Sequence, residues 1–314
     1  MDAVTKNAGE CLSAVLRLCI AAVIVAVAPS LSHAAEGEKK WSVSPLLGVH
    51  RPSMTLLTEG EFKAPLPGRG RIIFEDSGEN TDYDFVIEND LPDIDSGTEA
   101  GIEFRLILDS KYSLILGASA WEGVSTSSVQ TEIPFQGVLT PAGYERSASI
   151  SYFQYFVGVQ RILLRKPKKY DIYGRMTLNE VMDIDYKENL VFGFEGSNGD
   201  TFKRIIEMGS QATGLLMMNF GIGGEYFLRN WFSLGLDLGY SVGMEDVTLG
   251  NASLKTDIQV EDNLNFRTPV KLDDNNPNQL TYLAEANSYD DVTYRKLEIS
   301  FNGWRALFRV NMYF

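Results

Sequence analysis

The stretch WFSLGLDLGYSVGM, Trp231 to Met244, decides the fold class. Phe232, Leu234, Leu236, Leu238, Tyr240, Val242 and Met244 fall on one face of an extended chain. Ser233, Gly235, Asp237, Gly239, Ser241 and Gly243 fall on the other. A period of two held over this length fits a β-strand and no helix. In a soluble sheet the second face would carry lysines and bulky polar groups. Here it is glycine, serine and one acid, which suits the narrow interior of a small barrel whose apolar face looks outward.

The alternation recurs along the chain. Ile102, Phe104, Leu106 and Leu108 alternate with Gly101, Glu103 and Arg105; Tyr112 to Ala120, Leu216 to Gly223 and Trp304 to Phe314 behave likewise. Weaker versions lie at Trp41–Val49, Ser147–Leu164 and Ile172–Tyr186, where Glu180 interrupts the apolar face. Three connections are short: Ser110-Lys111, Arg165 to Lys169, and Asn230. The others, 51–98, 127–146, 187–211 and 248–291, are long. Short turns on one side and long loops on the other mark a membrane barrel with its short side periplasmic. Trp41, Tyr112, Tyr170, Tyr226, Trp231 and Phe314 all fall at the short-turn ends, where an interfacial girdle belongs. The expected fold is therefore all-β: a transmembrane, antiparallel, up-and-down barrel of eight strands, with short periplasmic turns and long extracellular loops. A ten-stranded alternative arises at Asn302-Gly303, a hairpin signal lying where the apolar parity changes from Leu297, Ile299 and Phe301 to Trp304 onward. Residues 248–289 offer no apolar membrane face for a tenth strand, so a glycine bulge in one long strand is the preferred reading.

The N-terminus reads as an address. Lys6 and Arg17 precede the apolar run Leu18–Ala28, and Ser32-His33-Ala34 supplies small residues for cleavage. This is the pattern of a secretory signal peptide, 1–34, followed by a single barrel domain, 35–314. Both cysteines leave with the signal, so no disulfide framework is expected, and His50 remains as the one histidine.

The C-terminal Phe314, with Met312, Val310 and Phe308 at alternating positions before it, resembles the terminal signal of bacterial outer-membrane proteins. Strand number and loop asymmetry resemble the small eight-stranded barrels of the OmpA, OmpX and OmpW type. The resemblance implies a Gram-negative outer-membrane location, contact with outer-membrane lipid and lipopolysaccharide, and recognition of the last strand by the barrel-assembly machinery. A surface or periplasmic protein partner of unknown identity is also expected.

The formal charge is −14, from 28 basic and 42 acidic residues, which excludes a nucleic-acid partner for want of a basic face. The four long loops carry all of it, chiefly 51–98 and 248–291, as a solvated surface. Asp93-Ile94-Asp95-Ser96-Gly97 has the acid spacing of part of a calcium loop but lacks the closing glutamate, so no metal and no cofactor is expected. Glu103, Arg105, Arg175, Glu225, Asp237, Arg305 and Arg309 fall on the inward faces and should pair, because isolated charge in a narrow lumen is costly. Eight strands leave room for side chains only, which favours a plug over a narrow porin-like channel for small solutes or cations. A surface hydrolase of lipid A or peptide would need His50 as base. The parity of β-strand 41–49 turns that residue inward, toward Ser42 and Ser44 and away from lipid, while Asp183 and Asp185 also project inward. The sequence thus points to a non-enzymatic barrel with a structural or surface-interaction role.

Overall fold

The computed structural model describes residues 40–52, 64–73, 80–89, 91–92, 94, 96–135, 138–196, 199, 201–212, 214–258 and 264–314. Eight long strands form a closed ring. They are β1 (Trp41–Pro52), β2 (Gly97–Ile107), β3 (Tyr112–Phe135), β4 (Val138–Lys166), β5 (Tyr170–Glu195), β6 (Leu215–Arg229), β7 (Phe232–Gly243) and β8 (Gly303–Tyr313). Each pairs antiparallel with its neighbour in this order, β5 joins β6 through Tyr170–Val181, and β8 returns to β1. The ring is an eight-stranded up-and-down barrel, and closure leaves its membrane wall without a free edge. The turns at the short-loop end are tight. In one, Asp109 accepts the backbone N–H groups of Lys111 and Tyr112 at 2.6 and 2.7 Å, which hold its carboxyl below the usual range.

Two expectations are corrected here. Among the described residues, 127–135, 138–146 and 187–195 are not loops. They continue β3, β4 and β5, which run for 24, 29 and 26 residues. At about 3.3 Å per residue such strands far exceed the roughly 9–11 residues a tilted strand needs to cross a bilayer. Their outer halves, extended by Thr201–Ala212 and Gly250–Ile258, make a five-stranded sheet standing beyond the barrel. The segments 51–98 and 248–291 also carry strands: a hairpin of Leu66–Ile73 and Asn80–Ile87, joined by Leu264–Phe266, and the strands Val270–Leu272 and Leu280–Ala286, which form a three-stranded sheet with Val292–Lys296 just beyond.

The second correction concerns Asn302-Gly303. It is neither a hairpin nor the preferred glycine bulge in one long strand: β8 begins at Gly303 and pairs without a register shift, residues 300–302 lie outside any strand, and the inward parity does not change. Leu297, Ile299, Phe301, Leu307, Arg309, Asn311 and Tyr313 are all buried, so one face points inward from end to end. What changes is the chemistry of that face. Inside the bilayer it is polar, and beyond the bilayer it is apolar. The same inversion appears on β3, where inward Ser113 and Ser119 give way to Trp121, Ile133 and Phe135, while outward Leu114 and Leu116 give way to Glu122, Ser128 and Glu132. On β4 inward Gln154 and Gln160 give way to Tyr152, Ile150 and Tyr144, and outward Val159, Val157 and Tyr155 to serines 151, 149 and 147. Lipid outside demands apolar residues outward, and water outside demands them inward. On β5 a bulge intervenes: Asp183 has φ 51°, and after it Ile184, Tyr186 and Glu188 face inward. Asp183 and Asp185 therefore lie on the outer face, contrary to the simple alternation, and Gln211 donates to Asp185 there.

The cap is a second core. Tyr144, Ile150, Tyr186, Leu190 and Phe192 of the outer sheet pack with Leu66, Ile87, Leu264, Tyr282 and Leu283 from the segments between strands. Among the described residues, one ion pair is buried within it. Arg146 Nε donates to Glu188 at 2.5 Å, and its Nη1 donates to Asn89 at 2.8 Å. Burial opposes its charge, yet Glu188 beside it keeps the guanidinium above its ordinary pKa.

The inversion is checked by single-cysteine labelling. In reconstituted vesicles a water-soluble maleimide should label Ser149→Cys and Glu145→Cys readily and leave Val157→Cys and Val159→Cys unlabelled. Equal labelling of all four would place the bilayer boundary elsewhere.

Candidate functional site

The lumen is filled by side chains in three tiers, each electrically neutral. Nearest the short turns, Arg105 donates through Nη1 to Glu225 Oε2 at 3.0 Å, through Nη2 to Tyr313 Oη at 2.6 Å and through Nε to Ser42 at 3.2 Å. Glu225 also accepts hydrogen bonds from Ser233 and Tyr313.

The middle tier is the most densely connected. Glu103 receives Arg175 at 2.5 Å on one oxygen and Arg309 at 2.6 Å on the other. Asp237 receives Arg175 at 2.6 Å, Arg309 Nη2 at 3.0 Å and the Tyr173 hydroxyl at 2.6 Å. Arg309 Nε lies 2.8 Å from Asp237 as an ion pair, out of line for a hydrogen bond. Two arginines and two carboxylates thus close a square spanning β2, β5, β7 and β8. Arg309 also donates to Tyr173. Gly223 makes the space for this: a Cβ there would meet Asp237 Oδ1 at 2.1 Å and the Tyr173 ring at 2.4 Å.

In the outer tier Arg305 binds Glu99 through two nitrogens, with Nε at 2.6 Å. Glu99 accepts from Ser119 at 2.6 Å and Gln154 at 2.9 Å, and Asn179 donates to Gln154 at 2.7 Å. His50 lies just above, fully buried. Its Nδ1 is 2.8 Å from Tyr152 Oη, and Trp121 packs edge-on at 6.1 Å while donating to the His50 carbonyl. Ser44 donates to Asn311 at 2.7 Å and Ser42 is held by Arg105, so neither hydroxyl is placed beside the imidazole.

All seven lumen charges singled out in the sequence therefore lie inside the barrel and are paired: Glu103, Arg105, Arg175, Glu225, Asp237, Arg305 and Arg309. The sequence reading missed Glu99, Tyr173, Gln154, Asn179 and Ser119. Glu99 was legible, because the period of two that joins Arg105, Glu103 and Gly101 reaches it in one more step. The uncharged partners carry no signal until register is known. The terminal residues sit on the lipid face: Phe308 is exposed, Phe314 rests against Trp41 at 5.6 Å, and its carbonyl accepts Lys40 N at 3.0 Å. Asp93 and Asp95 lie outside the described residues. No cluster with metal-ligand character occurs among the described residues.

No family model and no curated protein matches the chain. Among solved structures it is similar to the outer-membrane protein OprG of Pseudomonas aeruginosa, at 11% identity and TM-score 0.41, covering 88% of this chain and 96% of that one. It is also similar to CarO of Acinetobacter baumannii, at 8% identity and TM-score 0.29 over 80% and 98%. The outer-membrane protease OmpT of Escherichia coli follows at 10% identity and TM-score 0.29 over 87% and 97%. These values are too low to transfer any property to this chain, and the fold is read from its own strand pairings.

The tiers predict a sharp steric test. Gly223→Ala should lower the thermal midpoint of the folded barrel, whereas Gly224→Ala, whose Cβ meets nothing within 4 Å, should be neutral. Equal effects would mean that the Asp237–Tyr173 contact does not govern stability. On these strand pairings and on the reversal of their two faces, the chain is an eight-stranded β-barrel of the outer-membrane type.

Proposed function

We propose that this protein is a non-conducting outer-membrane scaffold, exported by a cleaved signal peptide (1–34), that holds a folded acidic domain at the cell surface for interaction, without enzymatic activity. The observation that carries this reading is the lumen itself. Eight strands enclose space for side chains alone, and here four arginines and four carboxylates fill it in three neutral tiers. Above them lies the apolar core of the cap, so a solute would have to cross both. Such a construction favours stability and presentation over transport. Recognition of Phe308, Val310, Met312 and Phe314 by the barrel-assembly machinery, and contact of the outer rim with lipopolysaccharide, belong to the same proposal.

A narrow channel is the second reading, and one observation favours it. Both amide atoms of Gln160 and of Asn219, and the hydroxyl of Ser241, are buried without a protein partner among the described residues. Buried polar groups in such positions are satisfied by water.

Conductance and stability measured on the same two proteins decide between them. For a plug the parent should show no single-channel current, and Arg309→Ala should destabilise the barrel by about 3–5 kcal/mol, the scale for stranding a buried carboxylate. For a channel the parent conducts, and the substitution changes ion selectivity with little change in stability.

A further inference from the structure

The lipid-facing wall is not uniformly covered. On β5 and β6 two glycines, Gly174 and Gly224, take outward positions on adjacent strands, where Gly174 opposes Ile222 and Ile172 opposes Gly224. A Cβ at Gly224 would meet nothing within 4 Å, and one at Gly174 would come no nearer than 3.8 Å to Leu163. The missing side chains leave two neighbouring grooves in the outer wall. One, of about 570 Å³, is lined by Val159, Leu163, Met176, Phe220, Ile222 and Leu238; the other, of about 440 Å³, by Ile172, Tyr226, Leu234, Leu236 and Phe308. Their walls are hydrocarbon.

The charge around them is one-sided. Arg161 lines the larger groove, with its guanidinium over the Tyr112 ring at 5.7 Å, in the aromatic girdle beside the short turns. The turn joining β4 to β5, the strand that carries Gly174, holds Arg165, Lys166, Lys168 and Lys169. All are exposed, and the acids nearby are already engaged: Asp171 is bound by Arg165 at 2.8 Å, Glu225 by Arg105 inside the lumen, and Asp109 accepts the backbone N–H groups of its own turn. Lys166, Lys168 and Lys169 form no ion pair among the described residues. This end is thus basic in a chain whose net charge is −14.

We propose that this surface is a binding site for an anionic glycerophospholipid of the periplasmic leaflet, with an acyl chain in the glycine-lined groove and its phosphate against Arg161 and the lysine turn. The polarity agrees: an apolar groove with Arg161 in its lining lies beside a cluster of cations at the short-turn end, where headgroups lie. Lysines attract anionic lipid as point charges without requiring fixed geometry, and each adds to the preference. The glycines confine one chain where a uniform wall would let lipids exchange past it.

The test uses the full purified chain in neutral detergent, titrated with phosphatidylglycerol, phosphatidylcholine or lipid A, with bound lipid counted by native mass spectrometry. Phosphatidylglycerol should be retained at least about tenfold more strongly than phosphatidylcholine. The triple variant Lys166→Gln, Lys168→Gln, Lys169→Gln should lose that preference while still binding both phospholipids weakly. Gly174→Leu with Gly224→Leu should lose both while keeping the heat-modifiable mobility of a folded barrel. If the glycine variant does not fold, the lysine variant alone decides. Equal retention of the two phospholipids by the parent, stronger retention of lipid A, or full retention by the folded glycine variant would overturn the proposal. Conductance does not enter this measurement, so its outcome is independent of whether the lumen is plugged.

Discussion

Water changes sides once along each of the three longest strands, β3, β4 and β5, and the rest of the structure follows from that. Below the boundary the outside is hydrocarbon, so Leu114, Leu116, Val157 and Val159 point outward and the polar residues are forced into the lumen. Above it the outside is water, so Trp121, Ile150, Phe192 and Phe301 turn the same inward face into an apolar core. The backbone need not break to achieve this. A strand offers two faces throughout, and only the side chains at alternate positions exchange character. On β5 the exchange coincides with the bulge at Asp183, which resets the parity in the cap.

The lumen network is the consequence inside the membrane. A barrel of this size cannot hold bulk water around its charges, so each must find a partner across the ring. The glutamates and arginines are arranged so that no tier carries net charge, and the hydroxyls of Tyr173, Tyr313, Ser119 and Ser233 take up remaining hydrogen-bonding capacity. Such a network is a weak source of net stability and a strong source of specificity, because a slip of register would leave charges unpaired in a medium that penalises them. The cap repeats this device at Arg146 and Glu188, where Asn89 ties a segment between strands to the outer sheet.

The asymmetry of charge follows the same axis. Acids are concentrated on the cap, where exposed pairs such as Arg69–Asp84 and Arg71–Asp82 hold hairpin strands side by side. Lysines are concentrated at the opposite end, in the turn between β4 and β5. The wall between them is apolar and is dented where glycine replaces a side chain. Each end thus presents its own chemistry, and the barrel keeps them apart.

The alternation of Trp231 to Met244 and its counterparts was enough to determine the barrel and the inward placement of Glu103, Asp237 and Arg309, because lipid on one side and a narrow lumen on the other act on every second residue locally, while eight strands over ten was settled only by the pairings of the closed ring. The sequence could not assign loops 127–146 and 187–211. Their alternation has its apolar face on the opposite side, and that pattern has meaning only once the bilayer boundary is known. Nor could it choose partners. Glu99 and Arg305 are 206 positions apart, and Arg309 meets Tyr173 from 136 positions away. Those meetings depend on the register of eight strands around a closed ring, and no local pattern contains register. The cap core depends on it too, since Leu66, Leu264 and Tyr282 are buried only because the outer sheet stands beside them. Period and polarity are properties of neighbouring residues and can be read along the chain; closure, register and the pairing of distant charges exist only after the ring has formed.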